Sequence, residues 1–371
     1  MKKRISIFLS LIISITTLFS LSVGCSNKQL PGEIPYEGVN YEIISEEINN
    51  LILVIGDGMG ENHIENAIRY FDIKRPEFIQ KRCGSVITHS YDNWITDSAA
   101  GATAYATGKK VYNGNLGCFG DEDLVQITDL AKNFNKKVGI VTTDLLTGAT
   151  PSGFSANAQK RSMTDKIISC QIESGIDLFI GKAEKDNYYY QNYHDEYENL
   201  GYGVANNETE LLNLLNSEKV FATLPNLHSD YFSGNEEHFQ LLQMVQFAIE
   251  FLSKENDNGF LLVIESAYID KYSHEKQLIP ALCEVRSLFD TMDYLLNTVS
   301  NDTAVLLTAD HETGGLKLGN DLFESNVLYS HGSHTSIDVP LFIHNFEIVK
   351  ESDKSLQNIE IFNICRSLLN I

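Results

Sequence analysis

Short, mostly apolar runs recur along the chain, separated by amphipathic segments. The runs are Leu51–Ile55, Val138–Thr142, Phe260–Ile264, Ala304–Thr308 and Pro340–Ile343. Runs of this kind are typical of strands buried on both faces, as in a parallel sheet. Helices are predicted for the amphipathic segments, which are Asp123–Asn135, Glu237–Lys254 and Pro280–Thr298. Strands that alternate with helices predict an α/β fold, a three-layer α/β/α sandwich around a mainly parallel sheet.

Polar residues follow four of the predicted strands at the point where each strand ends. They are Asp57, Thr143, Glu265 and Asp310. Ligands of open α/β sheets bind at the carboxyl ends of the strands. The pattern therefore predicts a site at this edge of the sheet.

Residues 50–371 are predicted to form one large domain that contains this sheet. Within it, segment 182–235 is rich in Tyr, Asn, His and Glu and lacks strong periodicity. We interpret this segment as a cap or insertion beside the sheet. Residues 25–49, with Pro31, Gly32 and Pro35, read as a tether that leads into the domain.

The N-terminus has the form of a targeting segment. Three basic residues at positions 2–4 precede an uncharged apolar stretch that ends at Gly24-Cys25. This combination predicts a signal peptide over residues 1–24, although a retained membrane anchor of similar length is the alternative. The sequence Leu21–Cys25 resembles a bacterial lipobox, in which the cysteine is lipidated after cleavage. We therefore expect an exported protein that is lipid-anchored through Cys25, at the outer face of the cytoplasmic membrane or in the periplasm.

The charge of the chain limits its partners. The formal net charge is −22, and a body so negative repels phosphate backbones at long range. Nucleic-acid binding through a general basic surface is therefore excluded. A small phosphorylated substrate is not, because bound metal ions can invert the field locally.

Acids and histidines gather near the predicted site. Asp310-His311 follows a buried strand, Asp270 and His274 are one helical turn apart, and His334 lies in a Gly- and Ser-rich stretch. Each of these, like Asp57 between two glycines, also suits an ordinary turn or surface position. Together they form a set of carboxylates and imidazoles that suits divalent metal ions.

Ser98 stands at the start of the small-residue run Ser98–Ala104, which predicts the beginning of a helix. Unpaired backbone N–H groups and the positive end of the helix dipole favour an alkoxide or a phosphate ester there. The alternative is that Asp97 or Ser98 only caps the helix.

Six segments, in this order, resemble signature segments of the alkaline phosphatase family. They are Gly56–Gly60, Asp97–Ala104, Gly108–Gly114, Ala149–Pro151, Glu265–His274 and Thr308–Glu312. The resemblance runs from about Leu51 to about His344 and is weakest across 182–235. It implies a phosphomonoesterase that acts through a phosphoserine at Ser98, with small phosphate monoesters as substrates. Family members are often dimers, so a homodimer is compatible with the resemblance.

The resemblance also implies two zinc ions. The ligands of the first are Asp270, His274 and His334, and those of the second are Asp57, Asp310 and His311. Arg161 lies 11 residues after Thr150, the spacing of the family's phosphate-clamping arginine, although a surface arginine would look the same. Lys271 matches a lysine that contacts phosphate through water in bacterial members.

A magnesium site is implied as well, with Thr150 and Glu265 as ligands and Asp57 bridging toward it. Family members usually carry Asp or His two residues before the threonine, but this chain has Gly148. Since glycine offers no ligand, we expect a weakened magnesium site, or compensation by Asp144 or a water.

Two other functions fit parts of the pattern. One is a phosphodiesterase or phosphonate hydrolase of the same superfamily, which commonly uses a threonine nucleophile. The other is a catalytically silent phosphate-binding lipoprotein. Ser98 together with Arg161 favours monoester hydrolysis over both.

Overall fold

The computed structural model describes residues 29–35, 39–183, 188–225, 227, 240–319 and 328–371, with the backbone alone at 188–192. The predicted signal peptide and Cys25 lie outside the described residues, as does part of the predicted tether. Among the helices that the structure describes, none has both the length and the apolar character needed to cross a membrane.

The strands and helices alternate through most of the chain. The strands are β1 Tyr41–Ser45, β2 Asn50–Gly56, β3 Arg82–Ile87, β4 Cys118–Phe119, β5 Glu122–Asp123, β6 Lys137–Thr142, β7 Leu178–Lys182, β8 Tyr202–Ala205, β9 Lys219–Leu224, β10 Phe260–Ser266, β11 Thr303–Thr308, β12 Glu312–Thr313, β13 His334–Thr335, β14 Val339–His344, β15 Phe346–Lys350 and β16 Leu356–Gln357. The α-helices are α1 Glu61–Tyr70, α2 Ser98–Thr107, α3 Ile127–Asn133, α4 Ala149–Gly153, α5 Thr164–Glu173, α6 Tyr188–Asn199, α7 Glu208–Leu212, α8 Leu241–Ser253, α9 Tyr268–His274, α10 Leu278–Thr298 and α11 Asn358–Leu369.

Ten of these strands form the central sheet, in the order β16-β3-β14-β11-β2-β10-β6-β7-β9-β8. Only β14 runs antiparallel to its neighbours, and the other pairings are parallel. The helices pack in two groups, with α1, α8 and α9 on α10 in one, and α3, α4 and α11 on α2 in the other. The predicted α/β sandwich around a mainly parallel sheet is confirmed.

The register of the central strands aligns their carboxyl ends. Ile55 of β2 lies opposite Glu265 of β10 on one side and Thr308 of β11 on the other. Glu265 in turn lies opposite Thr142 of β6. Because the strands end flush, the residues that follow them reach the same edge of the sheet.

All five apolar runs are strands, but one predicted helix is shorter than expected. Helix α3 begins at Ile127, because β5 first pairs with β4 in a small hairpin. The carboxylate of Asp129 accepts a hydrogen bond from the backbone of Gln126 at 2.9 Å and so fixes the start of the helix. The amphipathic pattern of Asp123–Asn135 had concealed this boundary.

Segment 182–235 contributes to the sheet itself in its described part. Strands β8 and β9 extend the sheet beyond β7, and α6 and α7 pack beside them. The ring of Tyr197 stacks on Phe221 with centroids 3.9 Å apart. We expected a cap or insertion beside the sheet, and the described residues of this segment instead lengthen the sheet. A role as a cap stays a prediction, because 184–187, 226 and 228–239 lie outside the described residues.

Two adjacent leucines of α7 test whether this extension is part of the core. Leu211 is 0% exposed and Leu212 is 53% exposed. Leu211→Ala is expected to lower the free energy of unfolding by about 2–5 kcal/mol, through lost burial and a residual cavity. Leu212→Ala is the matched control and should change it by less than about 0.5 kcal/mol. Both are measured by denaturant unfolding, and equal effects would mean that the segment does not pack as described.

Candidate active site

The site is built at the carboxyl edge of the central sheet. The backbone N–H of Asp57 donates to Ser266 O at 3.1 Å, and that of Thr143 donates to Glu265 O at 3.2 Å. The ladder therefore continues past the ends of β2 and β6 and carries these residues to one place. Asp310 and His311 follow β11 at the same edge.

A glycine turn after β2 permits close packing of the loops around the site. Gly58 has φ +74°, and a Cβ on it would lie 2.8 Å from Asp270 Cβ and from Thr313 Oγ1. Its N–H donates to Asp310 Oδ1 at 3.2 Å, and its carbonyl accepts from the backbone of Thr313 at 3.0 Å. Only glycine combines this backbone conformation with so close an approach.

Asp270, His274 and His334 form the first cluster. His274 Nδ1 donates to Gly332 O at 3.0 Å and His334 Nδ1 donates to Thr96 O at 2.9 Å. Since carbonyls only accept, both imidazoles turn an Nε2 lone pair inward, and the two Nε2 atoms lie 3.1 Å apart. They lie 3.3 and 3.5 Å from the Asp270 carboxylate. Lone pairs and a carboxylate that converge in this way suit a cation.

Asp57, Asp310 and His311 form the second cluster, and their ligand atoms lie within 4.8 Å of one another. His311 Nε2 is 3.5 Å from Asp57 Oδ1 and 3.3 Å from Asp310 Oδ2. The ligand atoms of Asp270, His311 and His334 are equally close, so the two clusters adjoin. The structure thus brings together all six residues predicted to bind zinc.

The charges of these buried groups are unbalanced without a cation. Asp57 Oδ1 and Asp310 Oδ2 are buried and have no hydrogen-bond partner within the described part of the chain. Burial raises the pKa of Asp57 well above its usual range, and the charges of Asp310 and Asp270 add to this effect. Burial also raises the pKa of Asp310 to about 6. Carboxylates that repel one another in a buried cleft fit divalent ions, which would offset the repulsion.

Burial and the same carboxylates also shift the pKa values of the histidines. Burial lowers the pKa of His311 to about 4, so its imidazole is neutral, the form that binds metals. The hydrogen bond with Asp270 raises the pKa of His274 to about 9. Burial alone would raise the pKa of Asp270, but His274, His311 and His334 together lower it.

Ser98 lies against the second cluster. It is the first residue of α2, it is buried, and its Oγ is 3.1 Å from His311 Nε2. Asp97 caps the helix instead, since its Oδ1 accepts from Ala100 N at 3.0 Å. Ser98 is therefore free of the capping role and points its hydroxyl into the site.

The third predicted site lies around Glu265. Thr142 Oγ1 donates to Glu265 Oε2. Thr150 Oγ1 is buried and interacts with Glu265, although it forms no hydrogen bond of standard geometry with any described residue. Burial, followed by the charge of Asp144, raises the pKa of Glu265 to about 7. Gly148 supplies no ligand here, as the sequence indicates.

Two cationic side chains border the site. Arg161 Nη1 lies 3.7 Å from Oδ2 of Asp97, the residue that precedes Ser98. The Arg161 side chain is half exposed. Lys271 forms an ion pair with Asp144. Burial alone would lower the pKa of Lys271, but Asp144 raises it above its usual value.

Sequence reasoning missed Thr313, which holds the two clusters together. Its hydroxyl donates to Asp270 Oδ1 at 2.5 Å and lies 3.3 Å from His311 Nδ1. Its position two residues after His311 was the available signal, because strand alternation returns a side chain to the same face after two residues.

This fold and this site define a class of α/β proteins with adjacent carboxylate–imidazole metal clusters and a buried serine beside them. A sequence model described as "Alkaline phosphatase" matches residues 48–180 and 181–360. The chain therefore belongs to the alkaline phosphatase family.

Similar proteins span this family. An alkaline phosphatase of Schizosaccharomyces pombe is 30% identical over 314 residues, which are 75% of this chain and 58% of the relative. Alkaline phosphatase 4 of Bacillus subtilis is 29% identical over 296 residues, 74% of this chain and 63% of the relative. The chain thus spans about three fifths of the length of these curated relatives.

Solved structures agree with the fold. The alkaline phosphatase of the Antarctic bacterium TAB5 is 26% identical, with a TM-score of 0.75 over 88% of this chain and 99% of that one. A substituted variant of the same protein, with Mg bound in the M3 site, is 27% identical with a TM-score of 0.74, and covers the same shares of the two chains.

Removal of the Thr313 hydroxyl tests its role. Thr313→Val is expected to weaken zinc binding by about 10-fold or more, because partners that orient metal ligands typically contribute 10–100-fold to affinity. Competition with a chromophoric chelator measures the affinity. Thr107→Val, which loses a helical hydroxyl bond to Thr103 O, is the control and should bind zinc like the wild type. Unchanged zinc affinity in Thr313→Val would contradict the role.

Proposed function

We propose that the protein hydrolyses phosphate monoesters in a metal-dependent reaction, through a phosphoserine at Ser98, and releases inorganic phosphate. The observation that carries this proposal is the place of Ser98 Oγ, 3.1 Å from His311 Nε2 at the start of α2 and beside both clusters. Family membership supports the same chemistry.

Two zinc ions suit the donors present. Asp270, His274 and His334 would hold the first, and Asp57, Asp310 and His311 the second. The bound ions would supply Lewis acidity, offsetting negative charge on the serine oxygen and on the departing oxygen of the ester.

The residues of the chain bind and orient the reactants. Ser98 Oγ gives its proton to solvent water and attacks phosphorus, the bond to the ester oxygen breaks, and the departing alkoxide takes up a proton from solvent to leave as the alcohol. Water then attacks the phosphoserine, the bond between Ser98 and phosphorus breaks, a proton of that water returns to Ser98 Oγ, and phosphate is released. The amino end of α2 stabilises the serine alkoxide and the phosphoserine.

Arg161 and Lys271 would bind the phosphoryl group. A planar guanidinium can donate to two non-bridging oxygens at once, and Arg161 lies close enough to the Ser98 segment to contact Asp97. Lys271 follows Asp270, a proposed zinc ligand, in the chain and pairs with Asp144. A clamp of this kind favours monoesters, whose terminal oxygens are unsubstituted, over diesters.

The third site would hold Mg²⁺ through Asp57, Thr150 and Glu265. Magnesium prefers oxygen ligands, and all three residues offer them. Since Gly148 adds none, we expect affinity below that of a site with a carboxylate from this position. The TAB5 variant with Mg in its M3 site supports a third cation site in this fold.

We further propose export and lipid anchoring at Cys25, after removal of residues 1–24. This part of the proposal rests on the order of features at the N-terminus, where three basic residues are followed by an apolar stretch and then by Gly24-Cys25. Small phosphate monoesters would be the partners, and nucleic acid would be excluded by a net charge of −22.

The central test is hydrolysis of p-nitrophenyl phosphate between pH 7 and pH 10. Activity is expected to disappear on chelation and to return with zinc. Ser98→Ala should lower kcat by about 1,000-fold or more, the scale on which loss of a nucleophile acts. Ser155→Ala is the control, because Ser155 Oγ donates to Pro151 O in the interior and does not line either cluster.

Substrate comparison separates the rival functions. Equal rates with bis(p-nitrophenyl) phosphate and the monoester would favour a phosphodiesterase. Stoichiometric retention of phosphate without turnover, in folded and zinc-loaded protein, would favour a phosphate-binding protein. Activity that survives in Ser98→Ala would contradict the proposed nucleophile.

Fractionation of cells tests the anchor. Cys25→Ser is expected to move the protein from the membrane fraction to the soluble fraction, because a serine cannot take the thioether-linked lipid. Cys170→Ser, on helix α5, should stay with the membrane. A Cys25→Ser protein that still sediments with the membrane would favour a retained apolar anchor instead.

A further inference from the structure

The space that a side chain at position 148 would fill is occupied by Asp144, which lies four residues earlier in the same loop. A Cβ on Gly148 would lie 3.0 Å from Asp144 Oδ2 and 2.9 Å from Leu145 O. The carboxylate of Asp144 therefore occupies the space into which a longer side chain at 148 would extend. A glycine at 148 leaves room for it.

The backbone of Asp144 is fixed on both sides. Its N–H donates to Thr142 Oγ1 at 2.9 Å, and its carbonyl accepts from Lys182 N at 2.7 Å. The same Thr142 hydroxyl donates to Glu265 Oε2. One threonine thus links Asp144 directly to Glu265, a proposed magnesium ligand.

The two oxygens of Asp144 have different surroundings. Oδ1 pairs with Lys271 Nζ, whereas Oδ2 is the atom beside Gly148. The ion pair with Lys271 uses one oxygen and leaves the other beside Gly148, two residues before Thr150. The hydroxyl of Thr150, two residues further, is buried and interacts with Glu265, but it has no hydrogen bond of standard geometry among the described residues. Its oxygen therefore stays available to a cation.

We propose that Asp144 supplies to the third cation site the carboxylate that Gly148 does not. Its Oδ2 binds Mg²⁺ through one water, and Asp57, Thr150 and Glu265 bind the same ion. The inference deepens the proposed function and rests on it, since it assumes that the site binds cations.

A second interpretation of the Asp144–Lys271 ion pair predicts different effects on magnesium binding. If Asp144 served only to orient Lys271 toward phosphate, loss of either partner would weaken phosphate binding and leave magnesium affinity unchanged. If Asp144 serves the cation, its loss weakens magnesium binding. Loss of Lys271 would then remove a repelling positive charge, and magnesium affinity would be unchanged or higher.

The test is calorimetric titration of Mg²⁺ into zinc-loaded protein, with no substrate present. Asp144→Asn keeps the shape of the side chain and removes its charge, and it is expected to weaken magnesium binding by about 10-fold or more. Lys271→Met is expected to bind Mg²⁺ at least as tightly as the wild type. The control, Glu122→Gln, removes one carboxylate of the exposed pair with Lys109 and should bind Mg²⁺ like the wild type.

Folding is checked by the melting temperature without Mg²⁺. If Asp144→Asn does not fold, Asp144→Glu takes its place, since it keeps the charge but moves the carboxylate by one methylene, and it should still weaken the binding. The inference would be overturned if the folded Asp144 variant bound Mg²⁺ as tightly as the wild type, or if the wild type bound no Mg²⁺. It would also be overturned if Lys271→Met lost as much magnesium affinity as the Asp144 variant. Because the readout is heat of binding, a protein that binds Mg²⁺ through Asp144 but hydrolyses no monoester would retain this inference and reject the proposed function.

Discussion

Mutual repulsion among buried carboxylates is the constraint around which the site is organised. Asp57, Glu265, Asp270 and Asp310 are all buried at one edge of the sheet. Burial and neighbouring charges raise the pKa values of Asp57, Glu265 and Asp310. The pKa of Asp270 is lowered instead, because of the histidines around it. Such an arrangement is costly unless positive charge offsets it. The site is therefore built for cations before any substrate is considered.

The parallel sheet is what makes this concentration of charge attainable. Its strands end flush, so acids from distant parts of the chain arrive at one edge, and backbone N–H groups there hold them in place. Asp310 Oδ1 accepts from the backbone of Gly58 and of His311. These bonds orient the second oxygen toward the neighbouring ligands and keep it free. Protein dipoles thus position the carboxylates but leave the charge for metal ions to offset.

The sequence predicts the central strands and the residues at their ends, because both depend on local patterns. It does not predict pairings between remote loops. The Asp144–Lys271 ion pair joins residues 127 positions apart, and nothing in the spacing of either residue indicates it. Strand β8 was missed because an edge strand of four residues has a weak apolar pattern. Strand β9 lies inside the sheet, and its buried run Val220–Leu224 was an available signal. Sequence alone thus locates the candidate ligands, whereas the residues that orient them require the fold.

Asp97 shows how a neighbouring residue can organise catalytic groups without taking part in the reaction. Its Oδ1 accepts from Ala100 N and from Gly114 N, and its Oδ2 faces Arg161. One carboxylate therefore caps the helix that begins at Ser98 and lies near the Arg161 guanidinium. It also fixes Gly114, whose carbonyl accepts a hydrogen bond from the backbone of Arg161 at 2.8 Å. Because the cap is supplied by the preceding residue, the Ser98 hydroxyl stays available at the positive end of the helix. The proposed nucleophile and the proposed phosphate clamp are thus positioned by the same side chain, and their geometry is coupled.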